Sequence, residues 1–176
     1  DVITACNDDF NHLNVASLVT NDTDTEDSDD ATVHVVVNCL TGCTLTQGYW
    51  KTHNASFKGG APVDDGWLGI GANKELTLFF GTGKTWFAIF WTSPKGNVYY
   101  NLAHQYMAAK LNIENGATAP ANVTAAITST ENLFSTMTIA QAGALKGAAK
   151  NNWTTLAGTL GSFNEGLIGP GHCDEQ

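Results

Sequence analysis

A chain of 176 residues can build one sizeable core or two small units, and with 43% hydrophobic residues it is composed to fold rather than to stay disordered. No apolar run approaches the roughly 18 residues of a membrane-spanning helix. The net charge of -9, with lysine as its only formally charged base, argues against a nucleic-acid partner or an anionic membrane surface, because there is no basic face to displace counterions.

The charge is unevenly distributed. Residues 1–40 hold nine acids and no lysine, whereas residues 41–176 hold eight acids and all eight lysines and sum to zero. That asymmetry suggests two units of different character, about 1–40 and about 41–176. With no Met and no signal peptide ahead of it, Asp1 reads as a processed or trimmed end.

In chain order, residues 13–20 read as a strand and residues 31–38 as a second, clearer one. Val33, Val35 and Val37 share one face of the second strand, and Thr32, His34 and Val36 share the other. Valine on both faces suits a strand buried between neighbours better than an exposed edge. Residues 21–30, Asn-Asp-Thr-Asp-Thr-Glu-Asp-Ser-Asp-Asp, have turn chemistry and predict a long acidic loop between the strands. Its alternating Asp residues resemble the start of a calcium loop, but the Gly and distal Glu of an EF-hand are missing. A solvated loop is the expectation, with a weak calcium site at Asp24, Asp27 and Asp29 as the minority alternative. Two strands do not make a stable domain alone, so the hairpin needs something to lie on.

Residues 41–96 interleave Gly with aromatic residues. The run 85–91, Thr-Trp-Phe-Ala-Ile-Phe-Trp, is too apolar to be exposed and predicts a short buried helix or strand, with Trp86 and Trp91 in the core. Tyr49, Trp50 and Trp67 are left as a candidate ligand surface, because exposed rings stack on sugars. From residue 97 the pattern is helical. Asn97 caps a helix with the stripe Tyr99, Leu102, Ala103, Tyr106, Met107 and Lys110/Leu111, closed by Asn115-Gly116. Pro120 opens a second helix that ends near Phe134. A third runs from about Thr138 to Ala149 and a fourth from about Trp153 to Phe163.

Four cysteines, Cys6, Cys39, Cys43 and Cys173, imply disulfides and an oxidising compartment. Pairing Cys6 with Cys39 and Cys43 with Cys173 gives each unit its own staple, although three pairings are open from sequence alone. A structural zinc site fares worse, with no Cys-x-x-Cys pair and five scattered histidines. Sequons at Asn21, Asn54, Asn122 and Asn152 are candidate glycosylation sites, set against the frequency of chance sequons in an Asn- and Thr-rich chain.

Catalytic motifs are weak. Gly81-Thr-Gly83-Lys84-Thr85 looks like the end of a phosphate-binding loop, but Leu78 stands where the first Gly is required, so a turn is expected. His104 lies one position off the apolar stripe and reads as a packed or surface histidine. His53, close to Lys51 and Tyr49, has no carboxylate or nucleophile tied to it by spacing. No hydrolase or metalloprotease signature occurs. No catalytic residue and no cofactor are expected.

Several stretches carry a resemblance. Residues 43–53, Cys-Thr-Leu-Thr-Gln-Gly-Tyr-Trp-Lys-Thr-His, resemble the TQGYWK(T/N)H signature of an uncharacterised module in bacterial extracellular and surface proteins. The resemblance continues through 79–86, 102–112 and 163–173 and so covers most of residues 43–173. It implies location and module boundaries but no catalytic residues. Residues 13–35 resemble the last two strands of the Ig-like domains repeated in bacterial surface proteins, which implies that the hairpin is completed by something else.

The expected fold is α+β, an N-terminal hairpin followed by a disulfide-closed, mainly helical domain. The expected function is that of a non-catalytic extracellular or cell-surface structural subunit, assembling with copies of itself into a filament or layer through the strand carrying Val33, Val35, Val36 and Val37. A glycan-binding or surface-protein-binding adhesin is the alternative, and a secreted hydrolase a third reading.

Overall fold

A computed structural model describes residues 9–36 and 42–174, with the side chains of residues 9–12 and 33–36 outside that description. The fold is α+β. The chain divides into two compact units at Cys39–Leu40.

The first unit is an antiparallel hairpin of β1 (Asp9–Val19) and β2 (Glu26–Val36). The turn is shorter than the expected ten-residue loop. Thr20 N–H donates to the Thr25 carbonyl at 3.0 Å, and Asp24 takes a left-handed φ of 50°. The acids from Glu26 to Asp30 therefore belong to β2, and each pairs with a residue of β1: Val19 faces Glu26, Leu18 faces Asp27, Ala16 faces Asp29 and Val15 faces Asp30. Asp is usually depleted in strands. It is tolerated here because these side chains project into water and need no burial. The β2 backbone pairs Val33 with His12, Val35 with Phe10 and Val36 with Asp9, while Val37, Cys6 and Cys39 lie outside the described residues.

The second unit is a helical body. It contains α1 (Gln47–Thr52), α2 (Trp86–Phe90), α3 (Val98–Glu114), α4 (Ala121–Thr136), α5 (Ile139–Gly143) and α6 (Gly147–Asn164), with 3₁₀ turns at Asp65–Ile70, Lys74–Leu76 and Phe80–Thr82. Helix α3 is the central post. Asn97 caps it by accepting from Tyr99 N–H at 2.9 Å, and the predicted stripe from Tyr99 to Leu111 is buried apart from Lys110, joined by Ala108, Ala109 and Asn112. The expected helix from Thr138 to Ala149 is instead two pieces. Thr138 starts α5 with a reciprocal capping box to Gln141, α5 stops at Gly143, and α6 begins at Gly147 with a left-handed φ of 56°. Trp153 is thus mid-helix and not a start.

Aromatic edges tie the body together. Trp67 meets Trp50, Trp86 and Phe90 edge-on, and Phe79 meets Trp86, Tyr99 and Phe134. Trp153 closes the chain of rings against Tyr99 and Phe134. Such pairs add roughly 0.5–1.5 kcal/mol each beyond their buried area. They pack together with buried aliphatic side chains such as Ile89, Leu102, Leu111 and Leu160. The Cys43–Cys173 disulfide, with Cα atoms 5.0 Å apart, joins the unit's two ends. Beside it, Thr44 N–H donates to the Gly171 carbonyl at 2.8 Å and Cys173 N–H to the Thr44 carbonyl at 2.9 Å. Gly42 is required here: its φ is 76°, and a Cβ would lie 2.4 Å from the Gly116 carbonyl oxygen.

Candidate functional site

The segments 43–53, 102–112 and 163–173 converge on Asn112. This side chain is fully buried in α3 and uses its whole hydrogen-bonding capacity. Its Oδ1 accepts from Leu45 N–H at 2.8 Å and Trp50 Nε1–H at 3.0 Å, and its Nδ2 donates to the Leu45 carbonyl at 2.9 Å and Asn164 Oδ1 at 3.0 Å. Asn164 Nδ2 in turn donates to Gln105 Oε1 and the Gln105 carbonyl. A satisfied buried network of this kind fixes one packing arrangement. Sequence reading missed both asparagines. The signal was there: an Asn beside the apolar stripe of a helix has low helix propensity and implies a partner.

The rest of the 43–53 segment is also structural. Thr46 caps α1 by accepting from Tyr49 N–H, and Tyr49 hydroxyl donates to Asp64 Oδ2 at 2.8 Å. His53 stacks on the Tyr49 ring at 3.7 Å with its Nδ1 within 2.8 Å of the Tyr49 carbonyl oxygen. The candidate ligand surface is therefore corrected. Trp50 and Trp67 are both 0% exposed, and only Tyr49 is half-buried. Gly66 packs so closely that a Cβ would stand 2.7 Å from the Trp50 ring. The placement of Trp91 in the core is corrected too: it is exposed, stacked on Phe57 at 5.7 Å, with Lys51 Nζ 4.1 Å from its centroid. Ring burial depends on tertiary placement that spacing does not encode.

Of the sequons, Asn21, Asn122 and Asn152 are exposed. Asn54 is buried, and its Nδ2 donates to the carbonyls of Trp50 and Lys51, so the folded protein does not present that amide for glycosylation. Asp27 and Asp29 lie on β2 and Asp24 in the turn. Among the described residues no group of three or more His, Cys, Asp or Glu side chains is placed to hold a metal ion. Gly81 to Lys84 forms a tight turn in which Phe79 N–H donates to the Lys84 carbonyl at 2.8 Å. His104 is buried, with Nε2 2.9 Å from the Ile89 carbonyl oxygen, and burial holds its pKa below 6.5. Tyr106 is buried and donates to Glu131 Oε1 at 2.8 Å; burial, then that bond, pushes its pKa far up.

A cleft of about 330 Å³ in the body is lined by Thr82, Tyr99, Phe134, Met137 and Ile139, among others. Burial pushes the Tyr99 hydroxyl up to about 12, so it stays protonated at physiological pH. Among the described residues no helix is long and apolar enough to cross a membrane.

The most unusual surface belongs to the hairpin. Side chains alternate between faces, so Leu13, Val15 and Val19 share one face of β1 and Leu18 takes the other. All four are between 55% and 64% exposed. Of the assembly residues named from the sequence, Val33, Val35 and Val36 lie on β2 and Val37 falls outside the described residues; the exposed apolar side chains that the structure describes are on β1. No protein-family model, no curated protein and no solved structure matches the chain.

Proposed function

We propose that this chain is an extracellular structural subunit whose hairpin adds to a β-sheet of a neighbouring copy, so that copies join into a filament or layer. The helical body is the rigid, disulfide-closed part of the subunit. The observation that carries the reading is the hairpin itself, two 11-residue strands with apolar side chains exposed on both faces. Each strand also has an edge without a described partner, and unpaired edges bind other strands. The Cys43–Cys173 disulfide supports an oxidising location. The resemblance of residues 43–173 to modules of bacterial surface proteins and of residues 13–35 to terminal Ig-like strands supports the same reading.

The test is negative-stain imaging and sedimentation of the protein beside a Leu13→Lys/Val15→Lys variant. The parent is expected to form polymers, and the variant to stay dispersed with its body folded. Equal polymerisation of both would overturn the proposal.

A further inference from the structure

We infer that the body carries the receiving surface for the hairpin of the next copy, at the segment Lys74–Lys84. This rests on the self-assembly reading above and adds where the strand lands. Four independent features meet on this short stretch.

The first is an open backbone edge. Leu78 pairs with Thr85 in an antiparallel bridge closed by Phe79 N–H to the Lys84 carbonyl at 2.8 Å and Trp86 N–H to the Thr77 carbonyl at 3.0 Å. When the closing bonds come from the flanking residues, the central pair is the non-hydrogen-bonded kind. The Leu78 N–H and C=O then point out of the ladder, toward the side where another strand can add.

The second is apolar exposure. Leu76 and Leu78 are 55% and 63% exposed, whereas Phe79, the next residue, is fully buried. Phe79 anchors the segment in the aromatic core while the leucines face outward. The third is charge. Lys74 and Lys84 flank these leucines, and Lys84 is exposed. The hairpin carries Glu26, Asp27, Asp29 and Asp30 opposite its exposed apolar residues and has no basic residue except histidine. An apolar strip edged by lysines is therefore complementary to an apolar strand edged by acids.

The fourth is backbone strain. Lys74 and Phe80, at the two ends of the leucine segment, have left-handed φ values of 47° and 44°. That region is uncommon for any side-chain-bearing residue and rare for an aromatic one. Strain of this kind persists where the surroundings over-determine it, and it clusters at binding sites. Here the two strained residues bracket the exposed Leu76 and Leu78. The occupant that fits all four features is the acidic hairpin of a second copy.

The experiment measures assembly of the full chain by sedimentation at low and high salt. A Lys74→Glu/Lys84→Glu variant is expected to need about tenfold more protein to assemble at low salt, because like charges then face each other. Mixing it with an Asp27→Lys/Asp29→Lys variant is expected to restore assembly. Tryptophan fluorescence, whose sources all lie in the body, checks that each variant is folded. If the Lys74/Lys84 variant assembles like the parent, or the charge-swapped mixture fails to restore it, the receiving surface lies elsewhere and self-assembly itself stands. If the Leu13→Lys/Val15→Lys variant also assembles like the parent, the self-assembly reading falls with it.

Discussion

The hairpin and the helical body reach order by different means. In the body, every tryptophan but Trp91 is buried, rings meet edge to face, and the buried Asn112 has all its hydrogen bonds made. In the hairpin, the described side chains of both strands are exposed, and order comes from the ladder between β1 and β2. A two-stranded ribbon gains little from burial and is marginal by itself. One chain thus joins a unit stabilised from within to a unit whose apolar strand is exposed, which the proposed self-assembly would cover. Substitutions of the same chemical kind should therefore act on stability in one unit and on assembly in the other.

The largest effect is expected from the covalent tie. The Cys43–Cys173 bridge spans 130 residues. Replacing both cysteines with serine frees that loop in the unfolded state and should lower the body's stability by about 4–5 kcal/mol. Urea unfolding followed by tryptophan fluorescence measures it. Next comes Asn112→Leu, which strands Leu45 N–H, Trp50 Nε1–H and the Asn164 side chain without partners. Leaving buried polar groups unpaired costs about 1–3 kcal/mol each, and with relaxation of the site a loss of about 3 kcal/mol, the low end for three such groups, is expected. An unchanged denaturation midpoint for this variant would mean that the network is ornamental and the aromatic packing alone specifies the body.

His104 sharpens the contrast through pH. Burial holds its pKa below 6.5, the nearby Lys51 charge acts in the same direction, and the Ile89 carbonyl opposes both. The unfolded chain therefore takes up the proton first as pH falls. The body keeps the full benefit of the neutral ring above about pH 6.5 and loses stability as pH drops from there toward the folded-state pKa. His104→Gln should flatten that part of the stability profile. A smaller effect follows from Asn97→Ala, which removes the α3 cap and the bond from Asn97 Nδ2 to the Ile139 carbonyl at 3.1 Å. A thermal melt should register about 1–2 kcal/mol.

The two units also differed in how far the sequence foretold them. The body's caps were legible because capping is local chemistry: Asn97 and Asn115-Gly116 bound α3, while the Trp86 run, open between helix and strand, is a short helix. The Cys43–Cys173 tie was favoured among three open pairings because those cysteines bracket the body. What was hidden depended on distant partners. Trp50 and Trp67 were open between ligand surface and core until α3 and α2 packed against them, and Asn112 was not singled out until Asn164 arrived from 52 residues away. In the hairpin, turn propensity at residues 21–30 predicted a loop, and the pairing register pulled five of those residues into β2. Propensity lost there because solvated acidic side chains cost a strand little when neither face is buried.

The smallest expected effect on stability is the one that tests the comparison most directly. Val15 is 64% exposed, opposite Asp30, with no core behind it in the described hairpin. Val15→Lys removes no buried surface and introduces a charge beside an acid, so the unfolding free energy of the body should move by no more than about 0.5 kcal/mol. All five tryptophans lie in the body, so fluorescence reports that unit and not the hairpin. Assembly, measured on the same sample by light scattering, should fall sharply, because a lysine then stands where the proposed assembly places an apolar residue against the partner. A variant that loses body stability instead would reveal that Val15 is packed in solution, and the hairpin would then share the body's core. A variant that changes neither property would leave the exposed apolar strand without a role in self-association. Only the split result, stability kept and assembly lost, fits a chain whose second unit is finished and whose first is completed by a neighbour.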